Sequence, residues 1–506
     1  MPKALESTGA KGTRLRLIIL TVLSTSILWV VGYGSLVHAA QAVDIDPRRS
    51  LVVTELAILS RFPLKRVMDQ LVVQSGVAGL TSLDLFHQWW DTQNPNPVNQ
   101  RSGAGPPCTG LLNGFPYTCR PAPSEGGQAD PKVNPFVDPD HNPDAYLPIG
   151  LFNRFDLATA DGSHCGEYRI VYAKRSGIRE PPLQRNLLIF EAKLPNPHLN
   201  QGLKGCQKIV EFWAALSNED AIDRRAQDLE RFYFQGLGNI EPVVHISHYG
   251  DNPNKEGQVR TNQFLNAPNF AWSLREFKLI RTCNGGRCSA VRFIPVTDKE
   301  NPFGELHNAD RNYATAMDYR THFLTQIEVN QDETDEPLQG LAAHTLDNIR
   351  FTIPNDTYNT GQSQASGSVE NDYKHHFTSA TNRSFANAIQ AQLDALGSTL
   401  TPTDIVLRAE SQSCAGCHQL LNGSPPSMPP PGTPIGGGLI WPPSLHFTHV
   451  TERQTEIVDG QEAFVISPAL KTVFIPQRER IMEDYLNDKL KKPKKPKNTL
   501  SGHKTH

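Results

Sequence analysis

Cys414-Ala415-Gly416-Cys417-His418 sets two thiols three residues apart, with an imidazole directly after the second. Each thiol of such a pair can add to one vinyl group of a single porphyrin while the imidazole ligates the iron, the chemistry of covalent c-type haem attachment. Two other uses of the pair predict different surroundings. A thioredoxin-like pair opens a helix just after a strand in a βαβ unit, whereas the residues upstream of Cys414 read as helix. A structural zinc site needs a second Cys/His pair at short spacing, and none follows closely. The motif therefore predicts one covalent haem c, attached through Cys414 and Cys417, with His418 as the proximal iron ligand.

The opposite face of the iron separates functions: a thioether raises the potential relative to a second imidazole, and an open position admits small molecules. Met428, His446, His449 and Met482 are the candidates downstream. His449, within Phe447-Thr448-His449-Val450, is favoured because the 30 residues after His418 can fold it over the ring. Met428 is the alternative, since its Pro-rich surroundings can fix such a loop.

Other constellations point to chemistry less directly. His245 and His248 stand near Asp251, but on a strand residues three apart face opposite ways, so the pair reads as structural or surface unless the strand ends between them. Asp138, Asp140, Asn142 and Asp144 alternate like the start of a calcium loop. Pro143 stands where such a loop needs Gly and Ile149 where it needs Glu, so the segment reads as Asx and Pro turns. No G-x-S-x-G, no H-E-x-x-H and no Gly-rich phosphate fingerprint occurs, which removes the usual hydrolase and nucleotide signatures.

With Cys414 and Cys417 assigned to haem, Cys108, Cys119, Cys165, Cys206, Cys283 and Cys288 remain, spaced as three sequential pairs. Of the possible pairings, nearest neighbours are preferred because each pair lies within one local segment, and an oxidising compartment disfavours free thiols. The N-terminus agrees: a basic stretch, an apolar run from Leu17 to Val31, and small residues at Ala39, Ala40 and Ala42 have the order of a secretory signal peptide. The run is short for a spanning helix, and an uncleaved anchor is the alternative. The chain carries −3 overall, +3 in residues 1–39 and +7 in residues 489–506, which leaves −13 on the body between. Neither nucleic acid nor a stable membrane span after signal removal is expected as a partner.

The elements that must position the motif fall into segments. Residues 1–39 read as signal peptide and 43–145 as a helical segment followed by a Pro/Gly-rich loop. In the helical part Leu64, Val67, Met68, Leu71 and Val72 form one helix face ending at Gly76, and a second helix starts at Thr81 with Asp84 in a capping box. Residues 146–300 carry short β-type runs at 168–173, 186–194, 242–247, 273–279 and 290–295, interrupted by helices around Trp213 and Phe232. That order favours α+β with a largely antiparallel sheet. Residues 301–400 read as helices around Phe323, around Leu341 and around Ile389, with a polar linker over 355–383 in which His375 and His376 are solvated. Residues 401–488 form a mainly helical, cytochrome c-like module that opens at Thr401-Pro402 and includes a last helix near Arg478, and 489–506 is a basic disordered tail.

The strings NGFPY (113–117), IGLFNRFDLA (149–158), CGEYRIVYAKRSG (165–177), EFWAALS (211–217), RTNQF (260–264) and WSLREFKL (272–279), followed by SCAGCH and FTHV, resemble a family of uncharacterised secreted bacterial proteins with a single C-terminal haem-attachment motif. The resemblance implies export and a cytochrome c-like C-terminus, and it includes FTHV, which favours His449 over Met428. It implies no substrate and no catalytic residue. The expected function is single-electron transfer with a redox partner protein in the periplasm or outside the cell. A haem-dependent, peroxidase-like oxidoreductase with its substrate site in the α+β region, or a haem-free secreted binding protein held by disulfides, are the alternatives.

Overall fold

The computed structural model describes residues 43–96, 107–119, 133–178, 185–264, 272–328, 339–352, 356–365, 369–422, 432–445 and 448–489. The expected signal peptide, Met428, His446 and the basic stretch beyond Lys489 lie outside the described residues.

A seven-stranded antiparallel sheet organises the chain. Its strands are, in spatial order, Val52–Val53, Tyr146–Arg154, His164–Lys174, Asn186–Pro195, Gln258–Phe264, Trp272–Asn284 and Arg287–Val296. From the second strand onward chain neighbours are sheet neighbours, so the sheet is a meander closed at one edge by a short N-terminal strand. With several helices packed on it, the architecture is mixed α+β, and one buried apolar cluster runs through the described residues from Ile45 to Met482.

The two faces of the sheet differ in chemistry, and this decides where a site can form. Alternate residues Tyr168, Ile170 and Tyr172 send apolar groups to one face. There Tyr168 packs on Trp213 and Phe232 of the helices Gln207–Leu216 and Ile222–Phe234, and Trp89 of the helix Ser82–Asp91 packs on Phe277. The other face carries Glu167, Arg169, Glu191, Arg260, Glu276 and Lys278, nearly all deeply buried. They are tied across strands: Arg169 to Glu191 at 3.1 Å and Arg260 to Glu276 at 3.0 Å, each pair directly opposed in register. Buried charges survive only when paired in this way. Segments that follow the sheet's last strand lie over this charged face. Ser363 bridges to Leu274, His418 stacks on Trp272, and Arg185 holds Glu452 through Nε at 2.7 Å and Nη2 at 2.8 Å.

Helices Leu64–Ser75, Ser82–Asp91 and Ser384–Ala395 match their expected spans, and Gly76 and Gly397 end the first and third with positive φ. All three disulfides pair nearest neighbours, Cys108–Cys119, Cys165–Cys206 and Cys283–Cys288. The Asp138–Asp144 segment is a set of turns, with Asn142 N–H bonded to Asp138 O and Asp144 paired with Lys174.

Four expectations fail for identifiable reasons. No helix forms around Leu341: Leu341 and Ala342 donate to the carbonyls of Gln326 and Ile327, and Arg408 takes the carbonyls of Leu341 and Ala343. Residues 242–247 form no strand, because Ile246–Tyr249 is a tight 3₁₀ turn. The 355–383 segment is no solvated linker; Asn359, Thr360, Gln362 and Ser363 are buried, and Tyr373–Ser379 is helical. A hairpin of Val450–Val458 and Gln461–Ile466 occupies the C-terminal region, where strands were not expected. Among the described residues no helix is long and apolar enough to cross a membrane.

Candidate functional site

The motif is positioned by the helix before it. Thr401 and Asp404 cap Pro402–Ser411 reciprocally, with Pro402 at the first helical position. Ser413 then caps the short helix Cys414–His418: its Oγ accepts from Gly416 N at 3.0 Å and donates to Glu410 O at 2.8 Å. Gly416 is required there, since a Cβ would lie 1.8 Å from Glu410 O. Two further segments hold the turn: Ala415 N donates to Ser363 Oγ at 2.9 Å, and Ser444 Oγ donates to Cys417 O at 3.2 Å. Helical spacing turns Cys414, Cys417 and His418 toward one side.

His449 meets them from the C-terminal hairpin. Its ring centroid lies 4.7 Å from that of His418, and its Nε2 is 3.6 Å from Cys417 Sγ. Ser467 anchors the far side of the ring at 2.9 Å from Nδ1, and Ser467 N bonds to His449 O. With its proton on Nδ1, shared with Ser467, His449 presents the Nε2 lone pair toward the motif. Burial, reinforced by His418 and nearby arginines, holds the His449 pKa well below the usual imidazole range. Burial also raises both thiols, Cys417 to about 12, although Trp441 pulls it the other way. Such thiols lack the depressed pKa of a reactive redox pair.

Cys414, His418 and His449 border a small, partly open cavity of about 80 Å³ between the charged face of the sheet and the C-terminal segments. Phe152, Val171, Ile189, Leu274, Leu470 and Phe474 supply apolar wall. Four arginines reach it, Arg154, Arg169, Arg260 and Arg478, against one acidic group, Glu191. Arg154 is 1% exposed; it binds Asp156 through Nε and Nη2 at 2.9 Å each, and its buried Nη1 has no hydrogen-bond partner. A buried guanidinium N–H without an acceptor is costly, about 1–3 kcal/mol or more. An anionic group in the cavity would meet that need. Apolar walls, two imidazoles, two thiols outside any disulfide and four arginines are the groups a haem would need, since its macrocycle is apolar and its propionates are anionic.

Met482 is buried, but its sulfur accepts from Asn153 Nδ2 at 3.6 Å and does not border the cavity. Thus Cys414, Cys417, His418 and His449 are brought together, while Met428 and His446 fall outside the described residues. Sequence reasoning missed the four arginines. For Arg169 the signal was a charged residue inside an otherwise apolar strand, the YRIVYA run.

Comparison of the chain with protein-family models, curated proteins and solved structures returns no match.

Proposed function

We propose that this is an exported monohaem c-type protein whose cytochrome c-like region, residues 401–488, carries the haem and whose role is single-electron transfer with a redox partner protein. On this reading it belongs with the secreted bacterial proteins that its motifs resemble. The observation that supports it most strongly is an exclusion: six of eight cysteines are joined in disulfides, and the two outside any disulfide are Cys414 and Cys417, buried beside two imidazoles and an arginine-lined cavity. Three disulfides also fit an oxidising compartment, where covalent haem attachment takes place.

When bound, the haem would supply a one-electron iron couple. Cys414 and Cys417 would hold it covalently, and His418 and His449 would be the imidazoles available to its iron. The chain's own contribution is to keep water from the site by burying the motif, to fix both imidazoles through Trp272 and Ser467, and to offset carboxylate charge with arginines. A haem-dependent oxidoreductase is the second reading, favoured by the arginine-rich wall, which equally suits an anionic substrate.

The ferric spectrum of the holoprotein separates them. Electron transfer predicts a six-coordinate, low-spin iron inert to carbon monoxide when reduced, converted to high spin by His449→Ala. A high-spin wild type that binds peroxide favours the oxidoreductase, and an unchanged spectrum in His449→Ala removes His449 as a ligand.

A further inference from the structure

A second cluster stands apart from the haem motif, at the turn that replaces the expected 242–247 strand. The turn brings His245 and His248 to the same side, with ring centroids 5.1 Å apart. Asp251 does not join them, being paired with Arg281. Glu241 takes its place: its Oε2 lies 3.2 Å from His248 Nε2 and 3.7 Å from His245 Nδ1. We propose that Glu241, His245 and His248 form a binding site for a divalent transition-metal cation of the zinc class.

One ligand atom from each residue lies within 4.8 Å of the other two. Nitrogen and oxygen ligands about 2.0–2.2 Å from zinc in a tetrahedron stand roughly 3.4 Å apart. The two separations to Glu241 already bracket that value, so a small rotation of the partly exposed His245 completes the triangle. The tautomer of His248 favours a cation. Its Nδ1 faces Val243 O at 3.3 Å, and a carbonyl only accepts, so the proton sits on Nδ1. The Nε2 lone pair then opposes a carboxylate oxygen, two acceptors that need a shared positive centre. A bare imidazolium–carboxylate pair would answer that need for His248 alone; His245 Nδ1 is held by Ser247 Oγ at 2.6 Å, a hydrogen bond that a bound cation would replace.

The loop is also built to hold its shape. Gln70 and Gln74 bond Val244 O at 2.7 and 3.1 Å, and Gln74 Oε1 accepts from Ile246 N. Gly257, at φ +76°, packs so closely on His248 O that a Cβ would lie 1.8 Å from it. His248 forms the buried back wall, whereas Glu241 and His245 retain side-chain exposures of 52% and 26%. A nitrogen–nitrogen–oxygen set with a solvent-facing side suits Zn²⁺ or a neighbouring first-row divalent ion and leaves a position for water.

The test uses the mature holoprotein loaded with Zn²⁺, passed into metal-free buffer and assayed for zinc and iron per chain, so that the haem content is read separately. The expected result is one zinc per chain, with affinity weakened more than about tenfold in Glu241→Gln and in His245→Ala, the scale on which even outer-shell partners act. Both substituted residues are partly exposed, so the unfolding midpoint without zinc should match the parent. Failure to retain zinc, or equal retention by parent and both variants, would overturn the assignment.

Discussion

Gly416 and the two thiols beside it show how tightly single residues specify the motif. A methyl group at Gly416 collides with Glu410 O, a backbone atom that cannot swing aside. Gly416→Ala should therefore cost about 1–3 kcal/mol, the usual cost of overpacking, read as a lower urea midpoint with an unchanged slope. The thiols make distinct predictions. Cys414→Ser or Cys417→Ser leaves one thioether and should shift the alkaline pyridine haemochrome to longer wavelength, while the double substitution should let acidified organic solvent extract all the colour. The motif was legible from the chain because its chemistry is contained in five consecutive residues. The arginines that meet it come from two strands near the start of the sheet, one near its centre and the last helix, so nothing in the local sequence joins them.

Elements were legible where the chain signals its own boundaries. Thr81 with Asp84 and Thr401 with Asp404 mark helix starts by side chains that bond their own backbone, and both capping boxes form. The strand Gln258–Phe264 was missed because Gln258, Arg260, Asn262 and Gln263 are buried polar residues, so apolar alternation never appears. The Leu341 segment failed for the opposite reason: its apolar spacing is helical, but Arg408 and the 326–327 carbonyls claim its backbone groups. Cross-links act at the same scale. Cys165–Cys206 ties a sheet strand to the start of the Gln207–Leu216 helix across 41 residues, whereas Cys283–Cys288 spans 5 within one hairpin. Chain-entropy arithmetic gives ~4 kcal/mol for the longer loop and ~2 kcal/mol for the shorter. Replacing Cys165 and Cys206 by Ala should thus lower the unfolding midpoint about twice as far as replacing Cys283 and Cys288, as calorimetry would show.

For the whole molecule, buried titratable groups set a stability window. Burial pushes His164 and His307 down to about 3, and it pushes Glu370 up to about 7 and Glu410 up to about 8. The unfolded chain protonates its histidines below roughly pH 6.5 while the folded chain does not, so their contribution is lost as pH falls toward 3. The unfolded carboxyls ionise above roughly pH 4.3 while the folded ones stay protonated, so theirs is lost as pH rises toward 8. Each group contributes a slope of about 1.4 kcal/mol per pH unit, and for these four groups the two signs cancel between roughly pH 4.5 and 6.5. Urea midpoints should peak in that interval and fall on both sides, with Glu410→Gln flattening the alkaline limb. A midpoint that climbs steadily from pH 5 to pH 8.5 would contradict this balance.

The central claim is that one porphyrin is joined to Cys414 and Cys417 after the chain has left the cytoplasm. Intact-mass measurement under denaturing, non-reducing conditions, on protein exported by a host competent in cytochrome c maturation, tests it most directly. The expected value is the signal-free polypeptide with three disulfides plus one haem, and the coloured species should survive denaturation. A colourless chain at the bare polypeptide mass, with Cys414 and Cys417 open to alkylation or bonded to each other, would contradict it.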